Sequence, residues 1–316
     1  MKVVSLFRLG ELEDKLKETF PQVEFKFIKK AKNIPNEDRQ SLDILIGYDG
    51  NLDETLLEDC PNLKWIAWYA TGVNSLPLKY IKEHNITLTN SRGVQAKQLS
   101  EFIIAFILDD YKKMRTSYIN QQNKIYDSKM TGRRLNGDCI LFLGTGAIAQ
   151  RTAKLAKAFD MKVIDVSKSG KQKKWFDEVH KIEYLSDLLE KGDIVINSLP
   201  ETNETIHLLK YEDFEKMKAS TMFINVGRGT IVEEDTLIEA LSNNEIRHAY
   251  LDVFEKEPLT PDNSLYELDN VTITAHITGN DQGINEDVTK IFIKNLEHFL
   301  NYSSVIENEV DLEKGY

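Results

Sequence analysis

The sequence predicts an α/β protein of two domains, each organised on a parallel sheet. Two features lead to this reading. Short apolar runs of strand length alternate with stretches of helical periodicity along most of the 316 residues. One run, Cys139-Ile140-Leu141-Phe142-Leu143, stops at Gly144-Thr145-Gly146, and the residues from Ala147 to Phe159 then recur at helical spacing. A chain of this length is long enough for two separate cores.

Taken in order, Val3–Phe7 reads as a strand and Glu11–Phe20 as a helix. Leu42–Gly47, Leu63–Tyr69 and Ile86–Thr89 are the next strands, the second of them ending in Ala70-Thr71-Gly72-Val73. In parallel sheets ligands sit beyond the carboxyl ends of strands, so the loops at Gly47–Asp49 and Ala70–Val73 are candidate sites. Gln98–Lys113 is a long helix carrying Phe102, Ile103, Phe106 and Ile107, and a second helical stretch is expected near Tyr118–Ser128. From Cys139 a second series runs through strands Ile140–Leu143, Lys162–Val166, Asp193–Asn197, Thr221–Asn225, His248–Leu251 and Val271–Thr274. The final helix, Glu286–Leu300, lines up Val288, Ile291, Phe292, Leu296 and Phe299 on one face. No internal repeat or low-complexity segment interrupts the pattern, and hinges are expected near 95–100 and 277–285.

Hydrophobic and charged contents of 41% and 29% are those of a water-soluble globular chain. A formal net charge of -11 argues against nucleic acid or an anionic membrane as partner, though not against an anionic substrate in a local pocket. Cys60 and Cys139 are isolated, with neither a disulfide framework nor metal spacing, which fits a reducing compartment. The first apolar run is too short for a secretory signal, and no run approaches the ~20 residues of a membrane span. A cytoplasmic protein is expected.

The glycine turn is the first chemical signal. Gly144 permits the tight turn after the strand, Gly146 lets the backbone approach a pyrophosphate, and Ala149 lets the helix pack closely. The amides from Thr145 to Ile148 then face the phosphates at a helix start. Strand, turn and helix together mark a dinucleotide site. The acid expected some 20 residues on, for the ribose 2′-OH, is missing: the position eighteen after Ala149 is Ser167. Ser167, Lys168 and Ser169 suit a 2′-phosphate, which puts NADP ahead of NAD. The competing readings are a solvated basic loop and a ribose held by Asp165.

Three further strand ends carry polar groups. Asn225-Val226-Gly227-Arg228-Gly229 presents an arginine between two glycines, suited to gripping a carboxylate and polarising a neighbouring carbonyl. Leu251-Asp252-Val253-Phe254-Glu255-Lys256-Glu257-Pro258 and Thr274-Ala275-His276-Ile277-Thr278-Gly279 each follow a strand of the same sheet. A carboxylate beside an imidazole favours the imidazolium and makes a proton donor near neutrality. Singly, His276 reads as a structural histidine and Glu257 as a solvated turn residue; with Arg228 and the glycine turn they read as a site.

Over nearly its whole length the sequence resembles the D-isomer-specific 2-hydroxyacid dehydrogenases. The motifs appear in the family's order: Gly144–Ala149, Ser198-Leu199-Pro200 with Thr205, Asn225–Gly229, Leu251–Pro258 and His276–Gly279. The resemblance implies two Rossmann-like or flavodoxin-like domains, with a dinucleotide domain over 99–281 inserted into a substrate domain formed by 1–98 and 282–316. It implies Arg228 as substrate arginine, Glu257 as supporting glutamate and His276 as acid/base. It makes Thr71, Gly72 and Val73 the carboxylate-binding turn, and adds Pro200, Val226, Gly227, Asp252 and Gly279 to the cofactor side. A homodimer is implied, and the apolar helix after Gln98 is the expected contact. The departures are Ser167 for the usual acid, Ala149 for a third glycine, Glu201 after Pro200, and Leu99-Ser100-Glu101 for Val-Ala-Glu.

The reaction implied is reduction of a small 2-oxo acid to the (R)-2-hydroxy acid by NADPH or NADH, with closure of the two domains excluding water. A dinucleotide-sensing binding protein without catalysis is the alternative, and the acidic charge speaks against it. A methyltransferase with a similar glycine loop leaves Arg228, Glu257 and His276 without a task. Trp65, Trp68 and Tyr69 precede the carboxylate turn as core or as an aromatic wall; for a buried strand, core is the better reading.

Overall fold

The computed structural model describes residues 1–313, in two compact units. One unit comprises Met1–Gln95 with the chain from Asp281 onward, and the other comprises Ala96–Asn280. The division thus falls at the start of the helix Ala96–Tyr111, rather than after residues 98 and 281 as the sequence suggested.

The first unit holds strands β1 (Lys2–Ser5), β2 (Glu24–Phe27), β3 (Ile44–Gly47), β4 (Trp65–Trp68) and β5 (Thr87–Thr89). They form one parallel sheet in the order β2-β1-β3-β4-β5, the flavodoxin-like arrangement. The central strands β3 and β4 are apolar and buried at every position, as strands covered on both faces must be. The edge strand β2, Glu24-Phe25-Lys26-Phe27, is half-exposed and charged, and its sequence shows no strand signal of the kind that marks its neighbours.

The chain returns to this unit as the helix Ile284–Tyr302, which buries Val288, Phe292, Leu296 and Phe299 at helical spacing. Phe292 stacks on Trp65 with ring centroids 5.2 Å apart, and Tyr69 Oη lies 3.1 Å from Thr289 Oγ1. Trp65, Trp68 and Tyr69 are all buried, so the aromatic run is core and not a wall open to substrate.

The second unit holds β6 (Cys139–Leu143), β7 (Lys162–Ser167), β8 (Glu178–Lys181), β9 (Ile194–Asn197), β10 (Met222–Asn225), β11 (His248–Leu251) and β12 (Val271–Ile273). Its parallel sheet runs β12-β11-β10-β9-β6-β7-β8. Strand order reverses between β6 and β9, which is where such sheets open a ligand crevice beyond their carboxyl ends. Edge strand β8, Glu178-Val179-His180-Lys181, is again half-exposed and was not expected from the sequence.

The helix Ala96–Tyr111 is consumed by this core: Leu99, Ile103, Phe106, Ile107 and Tyr111 share a cluster with Ala149, Ala153 and Ala156 of the helix Ala147–Lys157. It starts two residues before the expected Gln98. The second helix is Met114–Gln122, not Tyr118–Ser128, and none of its side chains is buried. Without an inward stripe it gives the sequence no periodicity to read. Among the described residues, no helix is long and apolar enough to cross a membrane.

Phe292→Ala removes the ring that joins the last helix to β4. It should lower unfolding stability by about 3–5 kcal/mol, measured by denaturant titration, and an unchanged midpoint would contradict this packing.

Candidate active site

The dinucleotide turn has the conformation its glycines permit. Gly144 sits at φ +103°, and a Cβ there would lie 2.9 Å from Leu199 Cδ2. Gly146 caps the helix Ala147–Lys157 in extended conformation, and a Cβ there would meet nothing within 4 Å. The helix amino terminus therefore opens onto clear space, as a pyrophosphate requires. Ala149 is fully buried in the core cluster that the helix shares with the sheet. These residues fit a dinucleotide.

At the end of β7, Ser167 is 7% exposed, and its Oγ has no hydrogen-bond partner among the described residues. Lys168 is exposed and pairs with Glu204 at 2.7 Å, while Ser169 Oγ accepts the Lys171 amide at 3.3 Å. Asp165 is fully buried one pleat inside the sheet, so it is not presented at the strand end to a ribose. Burial pushes its carboxyl up to about 8.

Arg228 follows β10, where two buried asparagines shape the chain. Asn197 Nδ2 donates to Asn225 Oδ1 at 2.8 Å, the same oxygen accepts the Gly227 amide at 3.2 Å, and Asn225 Nδ2 donates to the Arg228 carbonyl at 3.0 Å. Gly227 is required by contact, because a Cβ would stand 2.8 Å from the Leu199 carbonyl oxygen. The Arg228 guanidinium is half-buried and donates through Nη1 to the Gly227 carbonyl at 2.7 Å.

His276 and Glu257 meet on the turns after β12 and β11. His276 Nδ1 lies 2.7 Å from Glu257 Oε2, and Glu257 Oε1 accepts the Phe254 amide at 3.0 Å. Facing a carboxylate, Nδ1 must carry the proton, which leaves Nε2 as the nitrogen through which a proton can pass. The His276 backbone is left-handed, φ +52°, a conformation that costs a non-glycine residue of order 1 kcal/mol and must be held from outside.

The buried Asp252 holds it. Its carboxylate accepts Thr274 Oγ1 at 2.6 Å, the Ile277 amide at 2.9 Å, and the Thr278 amide and hydroxyl at 3.1 and 2.5 Å. Its own carbonyl accepts the His276 amide at 2.8 Å. Both Asp252 oxygens are thereby engaged within the turn, a task the sequence pattern did not disclose.

A second group missed from the sequence centres on His207. Its Nδ1 is 3.2 Å from Glu233 and its Nε2 is 3.1 Å from Glu255, while its amide donates to the Thr230 carbonyl at 2.7 Å. Glu255 also accepts the Glu234 amide at 3.0 Å; that bond, then the imidazole, holds its carboxyl below the usual range. The loop of Arg228 is thus tied to the loop of Glu257. Glu201, read as a departure after Pro200, accepts Thr230 Oγ1 at 2.7 Å in the same junction.

In the first unit, the turn after β4 is held from within: Trp68 Nε1 donates to the Gly72 carbonyl at 3.0 Å and Asn90 Nδ2 to the Thr71 carbonyl at 2.9 Å. Thr71 is exposed and Val73 buried. Cys60 and Cys139 are buried thiols pushed up to about 11, and no cluster of three metal-ligating side chains occurs among the described residues.

Residues 104–278 match the family model described as D-isomer specific 2-hydroxyacid dehydrogenase, NAD binding domain. A glyoxylate reductase of Thermofilum pendens is 32% identical over 258 residues, 78% of this chain and 74% of that one. A glyoxylate reductase of Pyrococcus horikoshii is 30% identical over 256 residues, 78% and 76% of the two chains. The crystal structure of a D-isomer-specific 2-hydroxyacid dehydrogenase family protein from Aeromonas salmonicida superposes with a TM-score of 0.88 at 28% identity, covering 98% of this chain and 99% of that one.

Gly229 is where the Arg228 and Glu257 loops touch: a Cβ there would fall 1.9 Å from the Phe254 carbonyl carbon. Gly229→Ala should therefore part the loops, with a loss of about 3 kcal/mol or more in thermal unfolding. A variant as stable as the parent would show that the loops do not interlock.

Proposed function

The chain belongs to the D-isomer-specific 2-hydroxyacid dehydrogenases, and we propose that it reduces a small 2-oxo acid to the (R)-2-hydroxy acid, with His276 as acid/base. NAD(P)-linked exchange between 2-oxo and 2-hydroxy acids is the family's reaction class. The finer reading rests on one observation, the 2.7 Å contact of His276 Nδ1 with Glu257, beside an arginine emitted from the same sheet. The glyoxylate reductases among its relatives support a short 2-oxo acid as substrate.

A nicotinamide held at this site would supply hydride for C2 of the oxo acid. Arg228 offers paired N–H donors to the substrate carboxylate, and its charge polarises the adjacent carbonyl. His276 delivers a proton from Nε2 to the oxygen that becomes the hydroxyl, and takes it back in the reverse direction. Glu257 keeps the ring oriented and balances its charge. In the first unit, the amides of Thr71, Gly72 and Val73 are the candidate carboxylate donors.

Gly144, Thr145, Gly146, Ala147 and Ile148 receive the pyrophosphate in this reading, while Pro200, Val226, Gly227, Asp252 and Gly279 shape the nicotinamide side. Ser167, Lys168 and Ser169 favour NADPH, with NADH the second choice. Glu204, paired with Lys168, competes there with a 2′-phosphate and narrows the preference.

A homodimer is the proposed assembly. The helix expected to form it, Ala96–Tyr111, has its apolar side buried in its own unit, so the proposal moves to the segment that follows. Met114, Tyr118, Ile119, Ile125 and Tyr126 are all exposed there, Tyr126 at 95%. Such a run of large apolar groups marks an interface.

His276→Ala and Arg228→Ala should each depress kcat by about 10²–10⁴-fold with unchanged circular dichroism. Glyoxylate, hydroxypyruvate, pyruvate and branched-chain 2-oxo acids, assayed with NADPH and NADH in parallel, measure this and fix the substrate. Near-normal turnover in either variant sinks the assignment. Tyr118→Glu with Ile119→Glu should convert a dimer to a monomer in light scattering after gel filtration. A parent protein already monomeric would refute the assembly.

A further inference from the structure

Asp165 is a buried carboxyl for which the reaction has no use. It is fully buried on β7, and neither of its oxygens has a hydrogen-bond partner among the described residues. Its ladder neighbours on the same face are Phe142 of β6 and Val179 of β8. That face is covered by the helix that begins at the glycine turn, through Ala149 and Ala153. The Gly144 amide donates to the Val166 carbonyl at 2.8 Å and only partly offsets the effect of burial on Asp165.

Two residues on, Ser167 repeats the pattern with its own buried, unpartnered hydroxyl. Two polar side chains without partners therefore stand in file on the face of β7 that lies behind the dinucleotide turn. An unpaired buried polar group is costly, and an unpaired buried charge is far more so.

None of the charged groups on the packed elements bonds to Asp165. On the covering helix, Lys157 pairs with Asp177, Lys154 lies over the Trp175 ring, and Arg151 Nε has no partner among the described residues. On β8, Glu178 is taken by Lys162 and His180, and Lys181 faces Glu183. On β6 the titratable side chain is Cys139, three residues from Phe142. None of them is among the influences on Asp165, whose ionisation is opposed by burial and eased only by the Gly144 amide.

From this geometry we infer that Asp165 is a proton-linked residue behind the dinucleotide site, and that the site binds its anionic ligand more tightly while Asp165 is neutral. The inference rests on the reading that a dinucleotide binds at Gly144–Ala149. The pyrophosphate brings negative charge to the turn in front of Asp165, and like charges disfavour each other's ionised form. Linkage makes the effect reciprocal: ligand binding favours the proton on Asp165, and losing that proton weakens binding. In the unliganded protein burial pushes this carboxyl up to about 8, within reach of ordinary assay conditions.

The test is a fluorescence titration of the whole chain with NADPH, and with NADH, from about pH 7 to about pH 9.5, in the parent, Asp165→Asn and Asp165→Leu. If the ligand raises the Asp165 pKa by about one unit, affinity in the parent falls about sevenfold over this range. The same step appears as proton uptake on binding near pH 8, read from heats in buffers of different ionisation enthalpy. Both neutral variants should lose the uptake and bind with little dependence on pH. The same decline in both variants, or no decline in the parent, overturns the inference.

The unliganded proteins give a second reading. A carboxyl whose folded pKa lies above its unfolded value contributes stability at low pH, and that stability is lost as pH rises through the folded value. The parent should therefore lose thermal stability relative to Asp165→Asn between about pH 4 and about pH 8; parallel curves overturn the inference as well. If neither NADPH nor NADH binds the parent at any pH, the dinucleotide reading itself fails, while the stability comparison still reports on Asp165.

Discussion

One buried carboxylate fixes the chemistry of the second unit. Asp252 gathers four side-chain and backbone donors, from Thr274, Ile277 and Thr278, about its two oxygens, and so holds His276 in a left-handed backbone it would not adopt alone. The imidazole is brought to Glu257 by that constraint rather than by any affinity of the turn for the shape. A charged acceptor in a buried network of this kind is strong when every member is satisfied, as here, and costly when one is removed.

The remaining site residues are held by the same means, through contacts between loops that follow neighbouring strands. Asn197 and Asn225 set the Arg228 turn, the bare α-carbon of Gly229 admits the Phe254 carbonyl, and His207 ties Glu233 to Glu255. Each loop is therefore rigid because its neighbour is. The sheet supplies the spacing of the strand ends, and these polar contacts supply the orientation.

The central strands were legible because they are buried on both faces and read as unbroken apolar runs, as in Ile44–Gly47 and Ile194–Asn197. Two of the four edge strands, Glu24–Phe27 and Glu178–Lys181, were not, because half-exposed positions there carry charge in place of an apolar run. The helix Met114–Gln122 escaped for a related reason, since no stripe of its residues turns inward. At the candidate site, Arg228, Glu257 and His276 could be singled out because they follow strands of one sheet together with the glycine turn, though His276 and Glu257 taken singly would not have been. The roles of Asp252 and His207 depend on which loops become neighbours in space, and local patterns carry no record of that. Asp165 looked like a candidate ribose ligand when only its distance from the glycines was known; its burial removes it from the strand end.

The pair between Lys168 and Glu204 lies at the opposite extreme from Asp252. Both side chains are largely in solvent, where such a pair is worth about 0–1 kcal/mol. Contacts that weak can be exchanged by single substitutions without loss of fold, whereas the Asp252 turn tolerates almost none. On the proposed reading, the choice between phosphorylated and unphosphorylated ribose is then freer to drift over evolutionary time than the turn that carries His276. Lineages sharing this scaffold would be expected to diverge first in the reductant pool they draw on.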